Sequence, residues 1–251
     1  MRGAKARRRE KLRRQPFPDT WRRYLEDSVP LYGALPAADR EELHGNVQVL
    51  FAEKRFEGAG SLDVTETMRL AVAAQASVLL LHRETDYFPR LASIVLYPAE
   101  YDVREEVQSD DGLIEVVDES RVGESWQSGA LVLSWEDVLA DLEDETQNVV
   151  LHEFAHQLDA EDGALNGAPI LTDRELRQRW PTTMSAAFER LAAAVDHQQE
   201  TVLDPYGAED PAEFFAVATE AFFLNPTGLL AEEPTLYKLL CDFYRQDPAQ
   251  W

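Results

Sequence analysis

The 251-residue chain has a single cysteine, Cys241, and that scarcity excludes two common sources of rigidity. One thiol cannot close an intrachain disulfide, and it cannot build a zinc cage that needs several cysteines. Long apolar runs are missing as well. No stretch approaches the roughly 18 consecutive apolar residues of a membrane span, and the first residues lack the apolar segment of a secretory signal. Basic charge is scarce, with 24 Lys and Arg against 47 Asp and Glu and a formal net charge of −23. A surface this acidic repels phosphate backbones and anionic headgroups, so neither direct nucleic-acid binding nor membrane binding is expected. With one cysteine and no span, a reducing, cytoplasmic setting is the expectation.

What is present is ample material for a core, 45% of the residues being hydrophobic. The charge is unevenly spread. Residues 1 to 24 hold ten Lys and Arg against two acids, a local net of +8, so the remainder carries −31. Between Met1 and Gln15 almost the only large apolar side chain is Leu12, which predicts a solvated, disordered basic tail over residues 1–18. A single domain is expected over residues 19–251, because no linker or internal repeat interrupts the pattern after Pro18.

Residues 37–54 read as an amphipathic helix introduced by Pro36, and the Asp63/Glu66 spacing predicts a capped helix running to about Leu81. Segments 93–97, 113–117 and 130–134 are short and aliphatic, which predicts strands, and helical periodicity returns from Glu136. The expected class is α+β, mostly helical with a small mixed sheet. Thr235 to Arg245 reads as an apolar-faced helix, which gives Cys241 a packing role.

The chemistry concentrates in Val149-Val-Leu-His152-Glu153-Phe-Ala-His156-Gln-Leu-Asp159, which contains His-Glu-x-x-His. On a helix His152 and His156 lie one turn apart and can address one metal ion, with Glu153 beside it as a general base. Leu151, Phe154, Ala155 and Leu158 supply an apolar side, and the acids of residues 143–145 with Thr146 are the expected helix cap. His44, His82 and His197 have no such partner and read as ordinary histidines. A catalytic zinc takes three protein ligands and keeps a fourth position for water. The third ligand is either Asp162, in a variant of the metzincin spacing, or a residue of the segment Tyr206 to Phe223. In that segment Asp210 and Pro211 suit a helix start, and Glu213 and Glu220 share a face two turns apart. Spacing alone leaves Glu213 open between metal ligand and partner of Asp210 in a capping box. Asp159 is either a helix-end acid or a group that orients a histidine, and Glu220 is a reserve ligand or such an orienting group.

The motif, the segment Gly123 to Trp135 and the segment Tyr206 to Phe223 together resemble the Mlc titration factor A (MtfA) family, bacterial zinc peptidases of the gluzincin type. The resemblance spans roughly residues 20 to 250 and implies a zincin-like metallopeptidase fold. It implies Zn2+ held by His152, His156 and Glu213, with Tyr206 facing the reacting carbonyl, and aminopeptidase-like hydrolysis of short peptides. It also implies a second role, binding an Mlc-like transcriptional repressor and so affecting glucose phosphotransferase gene expression. A non-catalytic protein that sequesters such a repressor is the alternative, and hydrolysis of a bond other than a peptide is a weaker one. Strand 130–134, just before the metal helix, is either an edge on which an extended substrate pairs or an interior strand.

Overall fold

The computed structural model describes residues 2–99, 106–108, 114–116, 129–144 and 146–251. Helix α1 (Arg2–Arg13) is followed by α2 (Asp19–Ser28), the short α3 (Pro30–Ala34) and α4 (Ala37–Glu53). Strand β1 (Arg55–Gly58), helix α5 (Glu66–Val78) and strand β2 (Ser93–Tyr97) come next, then strands β3 (Glu106–Gln108) and β4 (Ile114–Val116). Strand β5 (Ala130–Ser134) runs directly into α6 (Trp135–Glu143), and α7 (Val149–Asp159) carries the His-Glu-x-x-His motif. Helices α8 (Arg174–Asp196), α9 (Pro211–Leu224), α10 (Pro226–Glu232) and α11 (Pro234–Tyr244) complete the chain. This is an α+β architecture, mostly helical.

The strands fall into two groups. β1, β2 and β5 form a parallel sheet in the order β1-β2-β5, with Arg55 beside Ser93 and Ser93 beside Ala130, while β3 and β4 make a separate antiparallel ladder. Helix α5 crosses between β1 and β2, and a crossover of that kind returns the chain in the same direction. β5 is therefore an edge strand among the described strands. Leu131 and Leu133 are buried beneath it and Val132 is exposed, the alternation of a strand with one covered face. Residues 113 and 117 of the expected middle strand, and 123–128 of the segment before β5, lie outside the described residues.

Two helix starts differ from the sequence expectation. Helix α5 is capped by Thr65, whose hydroxyl accepts from the Met68 N–H at 3.2 Å, and not by Asp63. Helix α7 is capped by Asn148, whose Oδ1 accepts from the Leu151 N–H at 2.8 Å. The acids expected there lie a turn upstream, at the end of α6 and in the connection, with Glu145 outside the described residues. Helix α4 is buried on every side from Leu43 to Leu50, because α1 covers one flank and α5 the other. An all-round buried helix is the centre of a core rather than its cover.

The basic tail is a helix, which corrects the disorder expected for residues 1–18. Lys5, Arg9 and Arg13 recur every fourth residue and share one face. Lys5 pairs with Asp86 at 2.9 Å, and Arg9 pairs with Glu53 at 2.7 Å and also reaches Asp86. The Arg9 guanidinium lies 4.6 Å from the centre of the Tyr87 ring, and Arg13 donates to the Tyr87 hydroxyl at 3.2 Å. The approach is close enough that a Cβ at Gly45 would meet the Arg13 stem at 3.2 Å. Charge and a cation–π contact do here what an apolar stripe does in other helices.

That helix rests on a strained turn. Tyr87 and Phe88 both adopt the left-handed conformation, with φ of 59° and 52°, which is disfavoured for bulky residues. Buried donors hold the turn in place. Lys54 Nζ donates to the Phe88 and Leu91 carbonyls at 2.6 and 2.7 Å, and Arg9 donates to the Asp86 carbonyl at 2.8 Å. Burial lowers the Lys54 pKa to about 8. The Phe88 ring then packs edge-on against Phe154 of α7 at 4.8 Å. Phe154 is fully buried, as are Leu151 and Ala155, so the apolar side of α7 is clamped while the histidine side turns toward α9.

Cys241 is half-buried against the core, and burial pushes its thiol up to about 11, so it is a packing residue with no reactive thiolate at neutral pH. Arg9→Ala should destabilise the chain by about 2 kcal/mol, since Glu53 is nearly as buried as Arg9 and loses its partner. Urea unfolding checks this; a change under about 0.5 kcal/mol would show that α1 is not held through Arg9.

Candidate metal centre

His152 and His156 project from one side of α7 with their Nε2 atoms 3.2 Å apart. Glu213 meets them from the first turn of α9, its Oε2 lying 3.0 Å from His152 Nε2 and 3.4 Å from His156 Nε2. One donor atom from each of the three residues lies within 4.8 Å of the others. Asp210 caps α9 unaided, its Oδ1 accepting from the Ala212 and Glu213 N–H groups at 2.7 and 3.0 Å, which leaves the Glu213 carboxylate on the histidines. Two imidazole nitrogens and a carboxylate oxygen converging on one point suit a borderline divalent cation such as zinc.

Glu220 lies two turns further along α9. Its Oε1 accepts from His152 Nδ1 at 2.7 Å, and its Oε2 accepts from the Asn148 N–H at 2.8 Å. An acceptor on Nδ1 places the ring proton there and turns the Nε2 lone pair toward the cluster. Asn148 is a residue that sequence reading missed. It caps α7, takes Glu220 on its backbone, and its side-chain amide donates to Gln75 of α5 at 2.5 Å. Its signal in the sequence was the Asn immediately before the apolar run, masked by the acids around it.

Asp159 is fully buried, and its carboxylate accepts from the N–H groups of Asn166, Gly167 and Ala168 at 2.7 to 2.8 Å. It ties down the loop after α7, and reaches His156 through charge. Helix α7 stops at Asp159 itself, turns through a 3-10 segment over Ala160–Asp162, and is closed by Gly163 at φ 100°. Asp162, the alternative ligand, accepts from the Ala164 N–H in that turn and is not in the cluster.

Glu153 follows His152 in the chain, and burial raises its pKa, opposed by the charges of His156 and His152 and reinforced by those of Glu213 and Glu220. Tyr206 belongs to a 3-10 turn over Pro205–Ala208, capped by Asp204, and its ring centre is 6.1 Å from that of His152. It is 47% exposed, which excludes a buried packing role. Partial desolvation of its hydroxyl, and then Glu213 and Glu209, push it up to about 12, so it stays a donor.

The other histidines are elsewhere. His44 is buried, stacked 3.9 Å from the Phe17 ring centre and hydrogen-bonded to the Tyr32 hydroxyl, and burial lowers its pKa to about 4. His82 lies against Asp39 and Glu42, and His197 caps the end of α8. Among the described residues only His152, His156 and Glu213 form a group able to hold a metal ion.

The chain matches the family described as glucose-regulated metallo-peptidase M90 over residues 4–245. It belongs to that family. The match begins inside α1, so the basic helix is included, where the sequence resemblance had left it out. A Synechocystis protein designated slr2042 is 38% identical over 244 residues, covering 96% of this chain and 89% of that protein. Mlc titration factor A of Pectobacterium atrosepticum is 31% identical over 224 residues, covering 88% and 84%. Mlc titration factor A of Klebsiella pneumoniae is 30% identical over 226 residues, covering 89% and 85%. The family carries a metallopeptidase-type fold and implies a metal ion. No single helix among the described residues is long and apolar enough to cross a membrane.

The electrostatics give a test on the metal-free chain. Burial opposes a charged His152, but hydrogen bonds to Glu213 and Glu220 outweigh it and raise its pKa to about 10, while Glu213 is held down at about 2. A pKa raised above the unfolded value means that this contribution to stability is full below about pH 6.5 and is lost as the pH rises through about 10. A metal must displace that proton. Zinc titrated into the chelator-treated chain at pH 7 should therefore release about one proton from His152. Calorimetry in buffers of different ionisation enthalpy reads this directly, and a heat independent of buffer would contradict the assignment.

Proposed function

We propose that this chain is a zinc-dependent peptidase of the aminopeptidase-like gluzincin type, hydrolysing short peptides in a reducing cytoplasm. The observation that carries the reading is the convergence of His152, His156 and Glu213, with Glu220 fixed on the far nitrogen of His152. His152, His156 and Glu213 would hold the ion, and Glu220 would set the ring that points at it. When bound, zinc supplies Lewis acidity that polarises a peptide carbonyl and acidifies a neighbouring water. Glu153 takes the proton of the attacking water and delivers it to the leaving amine nitrogen. Tyr206, protonated and exposed beside His152, donates to the carbonyl oxygen as negative charge develops there. The side of β5 that is unpaired among the described strands would offer backbone N–H and C=O groups to an extended substrate.

A second role has its own support, since relatives at 30 and 31% identity are called Mlc titration factor A. On this reading the same chain binds an Mlc-like repressor. If a zinc-free His152→Ala variant relieved repression as fully as the parent, binding would be the main function and hydrolysis secondary.

Glu153→Gln should keep stoichiometric zinc and the parent's fold yet lower kcat on aminoacyl and dipeptidyl chromogenic substrates by about a thousandfold. Metal analysis beside the assay checks both halves, and near-parental turnover would remove Glu153 from the chemistry.

A further inference from the structure

A cavity of ≈ 810 Å³ opens beside the metal centre with His152 and Tyr206 in its wall. Carboxylates reach it from separate elements, Asp137 and Asp141 from α6, Glu220 from α9 and Asp204 from the turn before Tyr206. Between them the wall is aliphatic, from Val202, Val217 and Leu224, and among the described residues no lysine or arginine lines it. Glu220 is committed to His152 and Asn148. Asp141 accepts from the Val149 N–H at 2.6 Å and Asp204 from the Tyr206 N–H at 2.8 Å, both neutral donors. Among the described residues Asp137, Asp141 and Asp204 have no ion-pair partner, so the negative field of the cavity is not cancelled from within. Burial and the charges of Glu220, Asp137 and Asp144 push the Asp141 carboxyl upward, as crowding of like charge requires.

We propose that this cavity is a specificity pocket for the lysine or arginine side chain of a peptide substrate. The aliphatic stem lies on Val202, Val217 and Leu224 and the cation meets Asp137, Asp141 and Asp204. A long basic side chain divides in the same way as this wall, apolar along its length and charged at its tip. A free α-amine has no stem, and a cavity of this size with aliphatic walls is too large for it. Tyr206 stands where the carbonyl of the proposed reaction lies, so the residue that supplies the carbonyl is the one whose side chain enters.

The inference rests on the peptidase reading, and its test separates the two. With the zinc-loaded full chain, kcat/KM for lysine 4-nitroanilide should exceed that for norleucine 4-nitroanilide, which has the same stem without the charge, by about tenfold. The ratio should fall with added salt. Asp137→Asn should lower it at least about threefold. Equal values for the two substrates, or a lysine preference untouched by Asp137→Asn, would overturn the pocket. If no substrate turns over, the peptidase reading fails by itself. Calorimetry of lysine amide against norleucine amide then decides the pocket: tighter lysine amide binding that Asp137→Asn weakens supports it, and equal binding overturns it.

Discussion

The molecule depends on one imidazole gripped at both nitrogens. His152 carries Glu213 on Nε2 and Glu220 on Nδ1, and those carboxylates are two turns apart on a single helix. The pair α7 and α9 is thereby fixed in rotation as well as in distance, because a slip of one residue along α9 would break both contacts. Everything else in the structure serves this pair. The sheet and the Phe88 turn press the apolar side of α7, Asp210 fixes the start of α9, and Asn148 joins the two helices at the end where Glu220 lies.

The acidity of the chain takes on a specific meaning beside this site. The candidate metal centre takes the Glu213 carboxylate into its cluster and has a second carboxylate, Glu153, next to His152 in the chain. The surroundings separate their behaviour: burial opposes ionisation of both, but hydrogen bonds to two imidazoles drive Glu213 down to about 2, while burial drives Glu153, one residue from His152, up. Two carboxylates brought to one site from separate helices are thus pushed in opposite directions, a division that neighbouring charges and solvent exclusion commonly produce.

Much of the centre was legible in the sequence, because a spacing of four on a helix is a geometric statement in itself. His152, His156 and the Glu213/Glu220 face follow from it. What spacing could not settle was whether Glu213 served its own helix, since a capping box and a ligand have the same signature; in the structure its carboxylate lies against His152 and His156. The basic tail was illegible for a different reason. Its partners, Glu53 and Asp86, are 44 and 77 residues from Arg9, and a helix held by charge has no apolar periodicity to announce it. Strand β1, Arg-Phe-Glu-Gly, escaped because an exposed four-residue strand shows neither alternation nor β-branched residues.

Tyr87 and Phe88 were described as a strained turn, but their position gives them a bearing on how the chain tolerates change. Conformations of this kind each cost on the order of 1–3 kcal/mol, and glycine would relieve them. Glycine would also remove the ring that Arg9 covers and the ring that meets Phe154. Neither residue can therefore be improved alone, and the donors Lys54 and Arg9 must change with them. Arg9, Lys54, Tyr87 and Phe88, from three separate stretches of sequence, form one physically coupled unit, so a change in the first dozen residues reaches the helix that holds the histidines.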